Sequence, residues 1–356
     1  MKTTIKKYLV IFVITLSIAC SNDSVDKTLI NTNRLERVKN IKASKLFSNN
    51  YKYFELEPQG ANKIGRVNKI VKHESAFYIL SDDNRIIHFD SSGNYVSILN
   101  KPGKGPTEYT RIEDFNVVNS YNKTQIWLAD YSSLKIYDYT NSWHLTKRIK
   151  FPYVINKFKV LKNNNILLMT GQNKKSLTLV DSNANMISQY LDKQMPFLIF
   201  KPVQFTNYKN MVIFPLGVAN EFIYLPEESS DFKHGKYLTS DEFISKHELI
   251  EIFQKKEYEY LSSLRTESYI NNIRFLKNKA FLQVTINGER FLIVEKDSDT
   301  FIKVKFAPNS EVVDDISPLH NTNYLSNFLY GESDSSIIFL QEPESMEDKY
   351  GIIEFY

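Results

Sequence analysis

The chain has 356 residues, with 45 Lys+Arg against 41 Asp+Glu and a formal net charge of +4. So small an imbalance, with no basic patch along the chain, gives no electrostatic footprint for nucleic acid, and no nucleic-acid partner is expected. The 22 tyrosines and 24 phenylalanines are those of a chain that packs a core, which excludes a disordered polymer.

Residues 1–19 have the three-part layout of a signal peptide. Lys2, Lys6 and Lys7 supply the positive start, and Tyr8 to Ile18 is an apolar run. That run is shorter than the roughly 20 residues needed to cross a bilayer as a helix, and its length suits a cleaved signal. Cys20 is the only cysteine in the chain. Leu16-Ser17-Ile18-Ala19-Cys20 resembles the lipobox of bacterial lipoproteins, with Ser17 where an aliphatic residue is usual. Cys20 is therefore the expected lipid attachment site, and the mature fold is expected to have no disulfide and no cysteine chemistry. Losing the three signal lysines leaves 42 basic against 41 acidic side chains, a net charge of +1. Residues 20–45 read as a polar tether. The membrane is thus the first expected partner, held through acyl chains whose burial is worth about 0.8 kcal/mol per CH₂.

From residue 46 to 356 a pattern of short β-rich runs and polar turns repeats, and such repeats point to radial or solenoid architectures. The first unit runs through Ile70–His73, Ala76–Leu80 and Arg85–Phe89. It then turns at Gly93-Asn94 into Tyr95–Leu99, where a hairpin needs positive φ. The second has Phe115–Val118, Gln125–Asp130, Leu134–Tyr139 and Leu145–Ile149. The third has Phe158–Val160, Ile166–Thr170, Ser176–Asp181 and Met186–Tyr190. The fourth comprises Val203–Tyr208, Met211–Leu216 and Glu221–Leu225; the fifth, Ile273–Leu276, Ala280–Ile286 and Glu289–Glu295. The sixth comprises Tyr324–Leu329, Ser336–Leu340 and Tyr350–Tyr356. The second strands centre on Leu80, Leu128, Leu168, Phe214, Leu282 and Phe339. The first three intervals match propeller blades of roughly 40 to 50 residues, and the last two carry insertions. The spacing predicts an all-β, six-bladed β-propeller of four-stranded antiparallel blades. The longest interval holds a helical pattern over 240–264, opened by a cap at Thr239-Ser240-Asp241-Glu242. It is either a decoration of one face or a plug over the central channel.

Between the first two units lies Lys101-Pro102-Gly103-Lys104-Gly105-Pro106-Thr107-Glu108-Tyr109, followed by Ile112-Glu113-Asp114-Phe115. Two prolines and two glycines make a sharply turning loop. It follows no βαβ pattern and lacks the Gly-Lys-Ser/Thr ending of a phosphate loop, so it is no nucleotide motif. Together with Ile64-Gly65-Arg66-Val67 and Phe89-Asp90-Ser91-Ser92-Gly93, it resembles the six-bladed β-propeller lipoproteins of Bacteroidetes, a family similar to NHL-repeat propellers. Thr107 stands where that family usually has glycine. Phe232-Lys233-His234-Gly235-Lys236-Tyr237 ahead of the helical insertion is similar to a segment of the same family. The resemblance implies an outer-membrane lipid-anchored protein on the periplasmic or cell-surface side. It implies no particular activity.

The residues offer little catalytic chemistry. Six histidines (His73, His88, His144, His234, His247 and His320) are scattered without metal-ligand spacing, and there is no Gly-x-Ser-x-Gly elbow. The pairs Asp82-Asp83 and Asp314-Asp315 are adjacent, which on a strand points them to opposite faces, so they read as turn residues. No catalytic residue, metal site or cofactor is expected. A propeller holds its loops around one mouth, so binding is the expected role, with a protein, peptide or glycan as partner. Arg66, Glu108, Tyr109 and Asp114, in or beside the connections between blades, are the candidate ligand contacts, with Trp143 as a candidate stacking platform exposed in a turn. Packing for Tyr109 and capping of loop amides for Glu108 are the competing structural roles. The alternative function is a metal-dependent envelope lyase or hydrolase that draws ligands into the central channel from several blades.

Overall fold

Along most strands both alternating sets of side chains are apolar, so each sheet must be covered on both faces. In the computed structural model this is achieved by six sheets that pack face to face in sequence order. The structure describes residues 28–29, 32–59, 63–120, 123–171, 173–192, 200–208, 211–215 and 222–226. It also describes a few residues between 233 and 251, and residues 268–356 except 278, 298–299, 308, 318–324, 326–329 and 345–348.

Blade I is Val67–His73, Ala76–Ser81, Ile86–Phe89 and Tyr95–Leu99. Blade II is Asp114–Ser120, Lys123–Asp130, Ser133–Tyr139 and Trp143–Lys150. Blade III is Lys157–Val160, Ile166–Met169, Lys175–Val180 and Met186–Asp192. Blade IV is Thr206–Tyr208, Met211–Pro215, Phe222–Pro226 and Lys233–Gly235. Blade V is Tyr269–Leu276, Lys279–Ile286, Glu289–Asp297 and Thr300–Ala307. Within each of these the strands pair antiparallel with their sequence neighbours. Blade VI joins Ile337–Gln341 and Gly351–Phe355 to a strand from the other end of the chain, Tyr51–Glu55, in register from Gly351↔Glu55 to Phe355↔Tyr51. The ring is thereby closed by hydrogen bonds between the two ends. The expected inner strand of this blade, 324–329, lies outside the described residues except for Leu325, as does most of the helical stretch expected at 240–264.

Period-2 alternation builds the core between blades rather than in one central mass. On one strand of blade II, Ile126 and Leu128 pack towards blade I with Leu80, Tyr109 and Phe115, while Trp127 and Ala129 pack towards blade III with Phe158, Ile166 and Leu168. Blades VI and I meet through Phe54, Ile70, Phe77, Phe89, Ile338 and Ile352.

The polar tether expected over residues 20–45 needs correction, because much of it is built into the propeller rim. Thr28–Leu29 runs parallel to Leu238–Thr239, Glu36–Arg37 adds a parallel fifth strand outside Thr300–Ala307, and Ile41–Lys42 pairs with Val312–Val313. The cause is apolar residues spaced among the polar ones. Ala43, Leu46 and Phe47 are buried between blades V and VI, where the Phe47 ring lies 5.4 Å from Phe281, 5.0 Å from Phe339 and 4.8 Å from Phe355. An Arg37–Glu311 ion pair of 2.7 Å fixes the strap further.

Candidate functional site

The inner strands of blades II, III and V carry polar and apolar residues in alternation, as Asp114-Phe115-Asn116-Val117, Lys157-Phe158-Lys159-Val160 and Asn272-Ile273-Arg274-Phe275. The apolar set enters the inter-blade core, which leaves the polar set to meet its counterparts from neighbouring inner strands. On one side of the ring, Lys69 Nζ lies 2.9 Å from Asp114 Oδ1 and 2.8 Å from Glu332 Oε2, while Lys159 Nζ lies 2.7 Å from Glu332 Oε1. Lys157 Nζ stands 4.0 Å from Asp114 and donates to the Pro202 carbonyl at 3.3 Å. This relay ties blades I, II and III, and Glu332 reaches it from a short strand, Gly331–Glu332, that runs parallel to Val67–His73. Asp114 also accepts from its neighbour's amide, Phe115 N–H, and from Phe158 N–H of blade III at 3.2 Å. Asn116 repeats the bridge two residues on, donating to the Phe158 carbonyl and accepting from Val160 N–H.

On the facing side, Arg274 Nη1 donates to Thr206 Oγ1 and Asn272 Oδ1, each at 2.8 Å, and to the Ile273 carbonyl at 3.0 Å. Asn272 accepts Ile273 N–H as Asp114 accepts Phe115 N–H, so the two occupy equivalent places on blades V and II. Lys201, between blades III and IV, is buried near enough to Arg274 for their charges to repel.

Buried charges need partners, and these groups show the strain of their setting. Burial works against the charge of Lys69, yet Asp114 and Glu332 hold its pKa above the ordinary lysine value. Burial also disfavours the Glu332 carboxylate, but Lys159 and Lys69 draw its pKa down to about 2. Lys157 is lowered by burial. Lys201 is lowered to about 7 by burial and by Arg274, and burial lowers Arg274 itself to about 10.

The Gly-rich connection is a strap between blades I and II. Gly103 N–H donates to the Tyr109 carbonyl at 2.9 Å and Tyr109 N–H to the Lys101 carbonyl at 3.0 Å. The Glu108 carboxylate accepts Gly105 N–H at 2.7 Å, and a Cβ on Gly103 would collide with that carboxylate. The Tyr109 ring is fully buried, and its hydroxyl lies 2.9 Å from the Asn84 carbonyl, 3.1 Å from that of Leu99 and 3.2 Å from Lys101 N–H. Tyr137 of blade II donates to the Thr107 carbonyl at 3.0 Å.

A model of a 6-bladed beta-propeller family matches residues 19–321. The chain belongs to that family. Among solved structures it is similar to a Bacteroides fragilis protein inferred to be exported, at 14% identity and a TM-score of 0.71, over 92% of this chain and 98% of that one. It is also similar to a catalytically inactive variant of virginiamycin B lyase from Staphylococcus aureus with quinupristin, at 14% identity and a TM-score of 0.47, over 86% of this chain and 100% of that one. At such identities the likeness is one of fold. A search of curated proteins found no match.

Within this family fold the candidate residues separate. Asp114 alone reaches the axial cluster. Glu108 and Tyr109 are taken up by the strap, which is the structural role weighed for each. Arg66 is exposed beside blade I, its carbonyl accepting Asp82 N–H at 2.8 Å. Trp143 requires correction. It is 2% exposed, less than Trp127 at 8%, with its ring 4.8 Å from Tyr139 and its indole N–H donating to Ser97 Oγ. The turn at Asn141-Ser142 directs the indole inward against the outer strand of blade I, so it offers no stacking platform. Cys20 lies outside the described residues. Among the described residues, no group of three or more His, Cys, Asp or Glu lies close enough to hold a metal ion. The residues that sequence reasoning missed are Lys69, Lys157, Lys159, Lys201, Arg274 and Glu332. The polar–apolar alternation at the start of each unit was the available signal for most of them.

Proposed function

We propose that this chain is a cell-envelope lipoprotein, cleaved and acylated at Cys20, whose propeller is a non-catalytic module that binds or scaffolds a protein, peptide or glycan. The observation that carries the reading is the axial cluster. Charged side chains from several blades converge where a propeller opens to ligands, on strands held rigid by the inter-blade cores. The anchoring half of the reading is supported by the rim strap. The chain joins the propeller at Thr28, eight residues after Cys20, so an extended link of about 28 Å would hold the rim of blades IV and V near the bilayer.

The test has two arms. Cys20→Ser should move the protein from the membrane pellet to the soluble fraction in fractionated cells, and retention in the pellet would remove the anchor. Crosslinking in intact cells should give a discrete adduct that disappears on replacing axial residues. An adduct pattern indifferent to those residues would remove the axial binding role.

A further inference from the structure

We propose that the N-terminal rim strap makes the edge of blades V and VI a docking surface for an anionic lipid bilayer, which stands the propeller on its rim beside its anchor. The proposal rests on the acylation of Cys20 put forward above and goes beyond it, since an anchor alone fixes no orientation.

Three observations lead here. The first is charge. Between Thr32 and Ser48 the strap carries Arg34, Arg37, Lys39, Lys42 and Lys45, all exposed, and a single acid, Glu36. Among the described residues, the acids it meets on the ring are Glu311, paired with Arg37, and Asp315, which accepts from Ser44, so five cations face three anions. From Cys20 onward basic and acidic side chains number 42 and 41, and this local excess disappears in the total. The second is apolar surface at the same place. Val313, beside Lys42, is exposed, and so are Tyr51 and Tyr356 at the closing edge of blade VI. Tyr356 is joined to the end of the strap, its N–H donating to the Asn50 carbonyl at 3.0 Å and its carbonyl accepting from Ser48 Oγ at 3.0 Å. The third is where the chain goes. The strap leads back from Phe47 to Thr28, eight residues from Cys20, so an acylated cysteine keeps this rim within about 28 Å of a bilayer.

A headgroup layer suits such a rim. Lysine and arginine are drawn to anionic lipid within a Debye length, about 8 Å at physiological ionic strength. Tyrosine settles at the same depth, with its ring towards the acyl chains and its hydroxyl in water. Ala43, Leu46 and Phe47 lock the strap into the core, so docking orders little new chain. Electrostatic docking alone is weak, but the acyl chains hold the rim at the surface and make the second contact intramolecular. Contact through the rim lays the propeller axis along the membrane plane and leaves both mouths open to partners. The outer strand of blade II also exposes Lys147, Arg148 and Lys150, yet it lies across the ring from the anchor, which makes it the matched control.

The test uses residues 20–356 with Cys20→Ser, so that no acyl chain contributes, and vesicles of phosphatidylcholine with or without phosphatidylglycerol. At low ionic strength the protein should bind the anionic vesicles about tenfold more tightly than phosphatidylcholine alone, and physiological salt should release it. Lys39→Gln, Lys42→Gln and Lys45→Gln together should weaken binding about tenfold and leave Tm unchanged, since all three side chains are exposed. Lys147→Gln, Arg148→Gln and Lys150→Gln, which remove the same charge from the opposite rim, should leave binding as it was. Val313→Ser with Tyr356→Ser should weaken it severalfold. Equal binding to the two kinds of vesicle, or equal losses from the two triple variants, would overturn the proposal. Binding to soluble polyglutamate as tight as to anionic vesicles would do so too, in favour of an acidic protein partner. The anchor is read separately in cells. Release of Cys20→Ser from the pellet with no vesicle binding leaves the acylation standing and this surface refuted, whereas retention that only salt reverses removes the acylation and keeps the surface.

Discussion

Glu332 holds the axis together, and its removal provides a quantitative test of the charge relay. The carboxylate touches Lys69 and Lys159 from two different blades and is drawn from the ordinary glutamate value of 4.5 to about 2. A displacement of that size corresponds to about 3 kcal/mol at 1.36 kcal/mol per unit, an order-of-magnitude value that agrees with the about 3–5 kcal/mol lost when one partner of a buried pair is removed. Because the folded-state pKa is depressed, this stability is present above the unfolded-state value and is lost as the pH falls from 4.5 towards about 2. Glu332→Gln should therefore lower stability by about 3 kcal/mol at pH 7. For a chain of this length that is a fall in Tm of about 4 °C. The deficit relative to the parent should shrink steadily below pH 4.5, because the parent then loses the same charge. Thermal unfolding followed by tryptophan fluorescence across pH 3 to 7 measures both quantities. A change under about 0.5 kcal/mol at neutral pH, or a deficit that does not vary with pH, would refute the claim that Glu332 is the charged centre of the relay.

Four further outcomes follow from named contacts. Tyr109→Phe keeps the buried ring but removes the hydroxyl shared with Asn84, Leu99 and Lys101, and should lower unfolding stability by about 1–2 kcal/mol in denaturant titrations. Gly93→Ala should do more damage, since φ is +87° there and a Cβ would sit 2.1 Å from the Glu55 carbonyl oxygen. Hydrogen exchange should show the closing strand Tyr51–Glu55 losing protection before any other strand. Trp143→Ala should destabilise by about 3–5 kcal/mol without a specific effect on ligand binding, as a core residue does and a surface platform does not. His88 is stacked at 4.4 Å on Tyr78 and lowered to about 4, chiefly by burial, so its NMR resonances should stay constant from pH 8 to 5 and titrate only near 4.

The blades were legible because each is a local event. Two-residue alternation, turn residues and similar length recur, and Asp90-Ser91-Ser92-Gly93-Asn94 of blade I has a counterpart in Asp181-Ser182-Asn183-Ala184-Asn185 of blade III. In both, the aspartate accepts the amides two and four residues on, and the fourth residue has positive φ, +87° at Gly93 and +70° at Ala184. Closure was not legible, because Tyr51–Glu55 finds its partner some 300 residues later and nothing local distinguishes it from a linker. The strap was misread for a related reason: its polar composition is that of an edge strand, and edge pairing of two residues at a time leaves no periodic trace. Trp143 was misjudged because turn residues beside it signal exposure, whereas the direction of its side chain is set by the strand that follows.

The axial cluster lies between these extremes, and that position bears on where function resides in such a ring. The inter-blade cores place each inner strand so firmly that its polar side chains have little freedom to choose partners. The residue type at each axial position is therefore what sets the chemistry of the axis. Lysine at 69 with carboxylates at 114 and 332 gives a relay that balances itself. Asparagine at 272 takes the place of that carboxylate on blade V, where its Oδ1 accepts from Arg274 with the same backbone geometry. A fold that repeats its architecture six times can still be asymmetric where it matters, and here the asymmetry is one of charge at equivalent positions on opposing blades.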